Sequence, residues 1–346
     1  MKPKRTRFIA PVLSALLPLS FTLGVRVVSG AEASPDKLTH SDSHRVVHGW
    51  PSLPEGHFLG QVSGLGIDSH DDVLVFQRGR RIWLRPEQVT SDPLADSCVL
   101  WLSGKTGKLL ASWGDNFFVL PHGLTVGRDD SVWLTDVGRH QVFKFNLDGK
   151  LLLTLGEDRA PGDDKTHFNK PTDIVVAPDG SLYVSDGYVN SRVVKFSPEG
   201  KFQLQWGSKG VKPGEFEVPH GIALDAQGRV YVADRSNARV QVFDGAGKFL
   251  AEWKGAHLGR PWAVTVAPDG TVFVVDGGDL RDSGTDHAKV IQLTTDGKVL
   301  GFFGTFGQYD GQLTWPHDVA VARDGSVYVG DVFVGMRVQK FTRQPR

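Results

Sequence analysis

The sequence predicts an all-β chain: a six-bladed β-propeller whose ring is closed by an N-terminal strand. Three observations predict it. A sixteen-residue sentence recurs, clearest as PHGIALDAQGRVYVAD from Pro219 and again from Pro121, Pro171, Pro261 and Pro316, with proline first and aspartate fifteen places later. A fainter first copy, QVSGLGIDSHDDVLVF, begins at Gln61 and makes the count six. A second signature, GKLLASWG from Gly107, returns from Gly149, Gly200, Gly247 and Gly297, once after each of the first five copies. The sixth copy ends on a third strand, Arg337 to Phe341, while a spare strand-like segment, RVVHGW from Arg45, precedes the first. Self-similarity at a fixed period marks an array or a propeller. A missing strand at one end and a spare at the other favour a closed ring, because a linear stack needs capping units at both ends.

In chain order, residues 1–33 read as an export signal. Lys2, Lys4, Arg5 and Arg7 make a positive start, Phe8 to Val25 is an apolar run, and Ala31-Glu32-Ala33 offers a small-residue cleavage site. The alternative is an uncleaved N-terminal anchor, which Pro11 and Pro18 disfavour as a spanning helix. The expected location is therefore secreted or periplasmic, with a tether through the leader as the second arrangement. Residues 34–44 read as a flexible leader and 45–346 as the propeller. The lone cysteine, Cys98, excludes an internal disulfide. The 39 basic and 39 acidic side chains balance, which argues against nucleic acid as a partner.

Each copy divides into short strands. In the fourth, Ile222 to Leu224, Val230 to Ala233, Arg239 to Phe243 and Phe249 to Trp253 alternate with turns such as Ala226 to Arg229. Valine, tyrosine and phenylalanine suit a half-buried sheet. Four strands in each of six units describe propeller blades around a channel. Insertions are expected at 84–104, 157–170 and 279–289, where loops can shape a site. The ring leaves no edge that demands a partner, so a monomer is expected.

The second place of each copy reads Val62, His122, Thr172, His220, Trp262 and His317. Histidine occupies alternate blades, at spacings of 98 and 97 residues. Alternate blades of a six-fold ring lie a third of a turn apart, so three imidazoles converge on the axis. That is the donor set of a three-histidine zinc site with an open fourth position. The other nine histidines read as surface or leader residues. The first strand starts at the end of the blade where the second finishes. Residues just past the repeat aspartate therefore share a face with the histidines: Arg78 in blade one, Tyr188 in blade three and Arg235 in blade four. The arginines can grip a carboxylate by paired hydrogen bonds, and their charge favours a phenolate at Tyr188. The aspartates themselves, Asp136, Asp186, Asp234, Asp276 and Asp331, read as structural, capping turns or pairing with Arg192, Arg239 and Arg337.

Several stretches carry a family resemblance: FQRGRRIW from Phe76, LPHGLTVGRDDSVWLTDVGRHQVFKF from Leu120, HFNKPTDIVV from His167, VSDGYVNSRVVKFSPEGKFQLQWG from Val184, VPHGIALD with VADRSNARVQVF, and PHDVAVARDGSVYVGD. Over about residues 58–341 the chain resembles the peptidylglycine alpha-hydroxyglycine alpha-amidating lyases, enzymes built on an NHL-repeat propeller. The resemblance implies zinc on His122, His220 and His317, with Tyr188, Arg78 and Arg235 catalytic. It also implies a calcium ion held by the backbone carbonyls of Val62 and Leu124 and the carboxylate of Asp318, oxygen donors of the kind calcium prefers. The disulfides of animal members are absent, since Val189, Tyr231 and Val242 stand in their places.

The activity so implied is cleavage of the C–N bond of a terminal alpha-hydroxyglycine, in a peptide or a small molecule, to an amide and glyoxylate. Two alternatives stay open on the residues alone. One is a metal-dependent hydrolase or lactonase on the same propeller. The other is a non-catalytic secreted propeller that binds a protein or glycan, since fold does not fix function.

Overall fold

The computed structural model describes residues 39–41, 43–84, 90–278 and 287–345. The expected signal, 1–33, lies outside them. Six four-stranded antiparallel sheets are arranged as blades, and their first strands contact one another around the ring: Val62–Ile67, Pro121–Val126, Pro171–Val176, Pro219–Leu224, Pro261–Val266 and Pro316–Val321. Among the described residues no helix is long and apolar enough to cross a membrane.

The sixth blade takes its outer strand from the N-terminus. His44–Val46 pairs antiparallel with Arg337–Arg343, setting His44 opposite Arg343 and Val46 opposite Phe341. The closing strand thus begins one residue before the expected RVVHGW segment and ends two residues into it. The leader boundary moves with it. His44 is buried and stacks on Phe303 at 4.8 Å, and Ser41 N donates to Phe302 O at 2.7 Å. His44 is therefore no surface histidine. Trp50 completes the closure by packing on Tyr328 at 5.0 Å.

Side-chain chemistry sets the layering. The second strand of every blade is buried along its whole length, as in Val73–Gln77 and Val230–Asp234, whereas an outer strand such as Phe202–Trp206 alternates between half-buried and exposed. Apolar residues of neighbouring blades interdigitate: Leu74 and Phe76 of blade one pack with Leu124, Leu134 and Phe143 of blade two. Burying one such phenylalanine contributes about 1.5–3 kcal/mol. The expected insertion at 84–104 contains a blade strand, since Val99–Leu102 is the third strand of blade one. Of the insertion expected at 279–289, residues 279–286 lie outside the described residues.

The repeat aspartates hold the blades' loop ends. Asp186–Arg192, Asp234–Arg239 and Asp331–Arg337 are ion pairs of 3.0, 2.7 and 2.8 Å with buried carboxylates. Asp136 has no arginine and instead accepts the backbone N–H groups of Val119, Leu120, Gly138 and Arg139 at 2.7–3.0 Å.

One feature of the inner strands positions everything at the axis. In every blade the pairing of strands one and two slips just after the first residue: between Pro121 and Leu124, Pro171 and Asp173, Pro219 and Ile222, Pro261 and Ala263, Pro316 and Asp318, and Val62 and Gly64. A bulge frees a residue from the ladder and re-aims its side chain. It also corrects the reading of blade one. Val62 pairs with Gln77 as Pro121 pairs with Asp136, so Ser63, not Val62, holds the second place, and Arg78 is the exact counterpart of Arg235.

Candidate active site

The three bulge histidines meet on the axis. Their ring centroids lie 4.6, 4.7 and 4.9 Å apart, and one nitrogen from each falls within 4.8 Å of the others. All three are buried. Each Nδ1 bonds the backbone carbonyl at the second place of the next blade: His122 to Thr172 at 2.6 Å, His220 to Trp262 at 2.7 Å, and His317 to Ser63 at 2.8 Å. A carbonyl only accepts, so every Nδ1 carries the proton and every Nε2 presents a lone pair. Such outer hydrogen bonds fix tautomer and ring orientation in metal-binding histidines. Burial, aided by the charge of Arg235 on all three and of Arg78 on His122 and His317, holds the imidazoles well below the usual histidine range, so they are neutral at neutral pH. Three neutral nitrogens with one open side fit zinc.

Tyr188 stands over this triad. Its hydroxyl lies 2.9 Å from His122 Nε2 and 3.1 Å from His220 Nε2. The neighbouring Gly187 lets the chain reach that position, because a Cβ there would run into the Pro219 carbonyl. Trp83 braces the phenol ring edge-on at 5.4 Å.

The two arginines flank the tyrosine. Arg78 is buried, its Nε donates to Pro121 O at 3.0 Å and its Nη1 to Gln61 Oε1 at 2.9 Å, while Nη2 meets no protein acceptor. Burial pushes its guanidinium down to about 10, against the opposing pull of Tyr188 and Asp136, which leaves it charged at neutral pH. Arg235 opens a short 3-10 turn, Arg235–Asn237, and its Nε also lacks an acceptor. Its guanidinium lies 5.4 Å from the Tyr188 ring centroid and 4.7 Å from that of Trp262. Buried donors without partners are rare in folded proteins and point to an anionic ligand. The structure thus gathers all six residues that the sequence set apart at the triad: three imidazoles, one phenol and two guanidiniums.

The oxygen site implied by the resemblance lies next along the channel. Asp318 follows His317, and its Oδ2 accepts Leu65 N of blade one at 2.7 Å. Leu124 lies against Gly64, where any side chain would collide with it, so the strands carrying Val62 and Leu124 approach closely. Sequence reasoning missed Asp173. It holds the same third place in blade three that Asp318 holds in blade six, half a turn away, and accepts Ile222 N at 3.0 Å. The signal was present in the sequence, as PTD in the third copy against PHD in the sixth. Both carboxylates face the channel but are enclosed by the ring. Burial pushes Asp173 up to about 7, and burial together with the Asp173 charge pushes Asp318 well above the carboxylate range. Two opposed carboxylates call for a proton or a cation between them, and an oxygen-seeking cation such as calcium fits.

Fold and site together define a class: a β-propeller with an axial three-histidine centre able to hold a metal ion. The NHL repeat model matches residues 118–145, 168–196, 216–243 and 313–341, which are parts of blades two, three, four and six. A Caenorhabditis elegans protein named a probable peptidyl-alpha-hydroxyglycine alpha-amidating lyase is 32% identical over 339 residues, covering 94% of both chains. The chain belongs to the peptidyl-alpha-hydroxyglycine alpha-amidating lyase family. The Xenopus laevis peptidyl-glycine alpha-amidating monooxygenase B is 39% identical over 299 residues, 82% of this chain, and the chain spans 34% of that longer relative. Among solved structures, a Xanthomonas campestris gluconolactonase superposes with a TM-score of 0.59 at 14% identity, over 88% of this chain and 96% of its own, a likeness of fold.

Proposed function

We propose that the chain is a zinc-dependent lyase that cleaves the C–N bond of a terminal alpha-hydroxyglycine, releasing an amide and glyoxylate. The observation that carries this reading is the Tyr188 hydroxyl held between two histidine Nε2 atoms, at 2.9 and 3.1 Å, with unpartnered guanidinium nitrogens on either side.

His122, His220 and His317 would hold zinc through their Nε2 atoms, and the ion would supply Lewis acidity toward the substrate's hydroxyl oxygen. Arg78 and Arg235 receive the substrate carboxylate and orient the carbon that bears the hydroxyl. Tyr188 Oη is the base that takes the hydroxyl proton. The O–H electron pair becomes the second bond of the aldehyde, and the C–N bond breaks with its pair on nitrogen. Tyr188 returns the proton to that nitrogen. Amide and glyoxylate therefore form in equal amounts, and no water is consumed.

The carbonyls of Val62 and Leu124 and the carboxylate of Asp318 would hold calcium, which would supply a structural link between the blades that carry them. The signal-like pattern expected at residues 1–33 supports action outside the cytoplasm, on a peptide or small acyl substrate. The chain is proposed to act as a monomer and without nucleic acid. The test is to incubate purified, metal-replete protein with an N-acyl-alpha-hydroxyglycine and measure both products. Equimolar glyoxylate and amide are expected. A carboxylic acid product without glyoxylate would move the site to hydrolase chemistry, and zinc-free inert protein would leave a binding module.

A further inference from the structure

Blades five and six break the pattern of polar groups around the axis. In blade five the second place holds Trp262 instead of a serine, histidine or threonine, and its ring lies 5.5 Å from both His220 and His317. Outward from it stand Trp315, at 6.2 Å, and Phe333, at 6.3 Å, themselves 4.9 Å apart. Trp262 is buried, Trp315 and Phe333 are half-buried, and the adjacent Val334 is 66% exposed, so one apolar wall runs from the histidines to the surface.

Phe333 occupies the place in blade six that Tyr188 occupies in blade three, the second residue past the repeat aspartate. The two therefore face each other across half a turn. Its backbone is held at φ 50°, and that of Met336 at φ 42°, a region bulky side chains avoid. Strain of this kind persists where surroundings enforce it and clusters at ligand sites. Around the axis the site is thus split. Arg78, Tyr188 and Arg235, from blades one, three and four, form a cationic and polar half. Trp262, Trp315 and Phe333, from blades five and six, form an aromatic half. A hydroxyglycine whose carboxylate lies on the arginines and whose hydroxyl lies under Tyr188 has one remaining substituent, the acyl group on nitrogen. The half of the site left for it is the aromatic one.

We propose that Trp262, Trp315 and Phe333 form the subsite for the acyl group on the hydroxyglycine nitrogen, and select substrates in which that group is flat and apolar, such as an aromatic acyl chain or a peptide ending in an aromatic residue before the hydroxyglycine. This rests on the lyase reading above. A single methylene more or less in a hydrophobic pocket already discriminates by about 10–200-fold.

The test compares N-benzoyl-alpha-hydroxyglycine with N-acetyl-alpha-hydroxyglycine on the full chain. The wild-type protein is expected to favour the benzoyl substrate at least tenfold in kcat/KM. Trp315→Ala and Phe333→Ala are expected to reduce that ratio about tenfold, through KM for the benzoyl substrate. Phe333→Leu is expected to restore part of it. Partial misfolding scales both substrates alike and cancels in the ratio. A wild-type ratio near one, or variants that leave the ratio unchanged, would overturn the proposal while leaving the lyase reading intact. Calorimetry with N-benzoylglycine and N-acetylglycine, which lack the reacting hydroxyl, separates the two claims. Tighter benzoyl binding that is lost in Phe333→Ala supports the wall even without turnover, and equal binding of both overturns it.

Discussion

His122, His220 and His317 aim at the axis because each sits on a bulge of its inner strand, and each ring is oriented by the carbonyl of the neighbouring blade. Removing one donor from such a set is expected to lower bound zinc from about one per chain to a small fraction in His220→Ala, as metal analysis after dialysis would read. The repeat aspartates belong to this scale too. Asp186 pairs with Arg192, which is also buried and has no other acidic partner among the described residues, so Asp186→Ala leaves a buried guanidinium without its carboxylate and is expected to cost about 3–5 kcal/mol in denaturant unfolding. A loss under 1 kcal/mol would mean that the pair is solvated. The histidines were legible in the sequence because a two-repeat alternation survives any error in strand boundaries. The blade-one frame was not. Its copy has no proline and no terminal aspartate, so nothing in the letters fixes whether Gln61 or Val62 comes first. Pairing of Val62 with Gln77 decides it. Phe333 was missed because an aromatic past a strand reads as core until its backbone and its opposite number, Tyr188, are seen.

Closure is the decisive event among the elements. His44–Val46 covers the edge of Arg337–Arg343, and Trp50 seals the joint against Tyr328. An uncovered strand edge is a template for association. A chain starting at residue 48 is therefore expected to unfold at a lower temperature than the intact chain and to aggregate, as scanning calorimetry and light scattering would show; unchanged melting would place closure elsewhere. The missing fourth strand of blade six made this legible, because a ring cannot end on three strands. The third strand of blade one was hidden because the long segment after Trp83 separates Val99–Leu102 from its blade, and length alone reads as insertion. The places where animal relatives were expected to carry cysteines in blade four, Tyr231 and Val242, are cross-strand partners here. Tyr231 packs on Trp253 at 5.4 Å and donates to Asp225 at 2.8 Å, so packing and a hydrogen bond occupy the position of a covalent link.

The whole ring encloses a column of titratable groups: three neutral imidazoles, then the opposed carboxylates of Asp173 and Asp318. That arrangement predicts a pH dependence. The folded chain holds the Asp173 proton up to about 7, whereas the unfolded chain releases it near the ordinary value of about 4. Without a cation this contribution to stability is fully present below about pH 4 and is lost as pH rises through about 7. Melting temperature in chelator is thus expected to lose this contribution across that window. Added calcium is expected to restore stability above pH 7, and Asp173→Asn is expected to flatten the chelator curve. A chelator profile unaffected by Asp173→Asn would remove the carboxylate pair from the account.

The central claim is that the axis holds a metal on three histidines and that Tyr188 moves the proton. It is tested most directly by measuring zinc content and glyoxylate release on Tyr188→Phe beside the wild type. About one zinc per chain is expected in both proteins, with glyoxylate release from the variant reduced by about 10²–10⁴-fold. A variant that retains zinc and releases glyoxylate at the wild-type rate would contradict the claim.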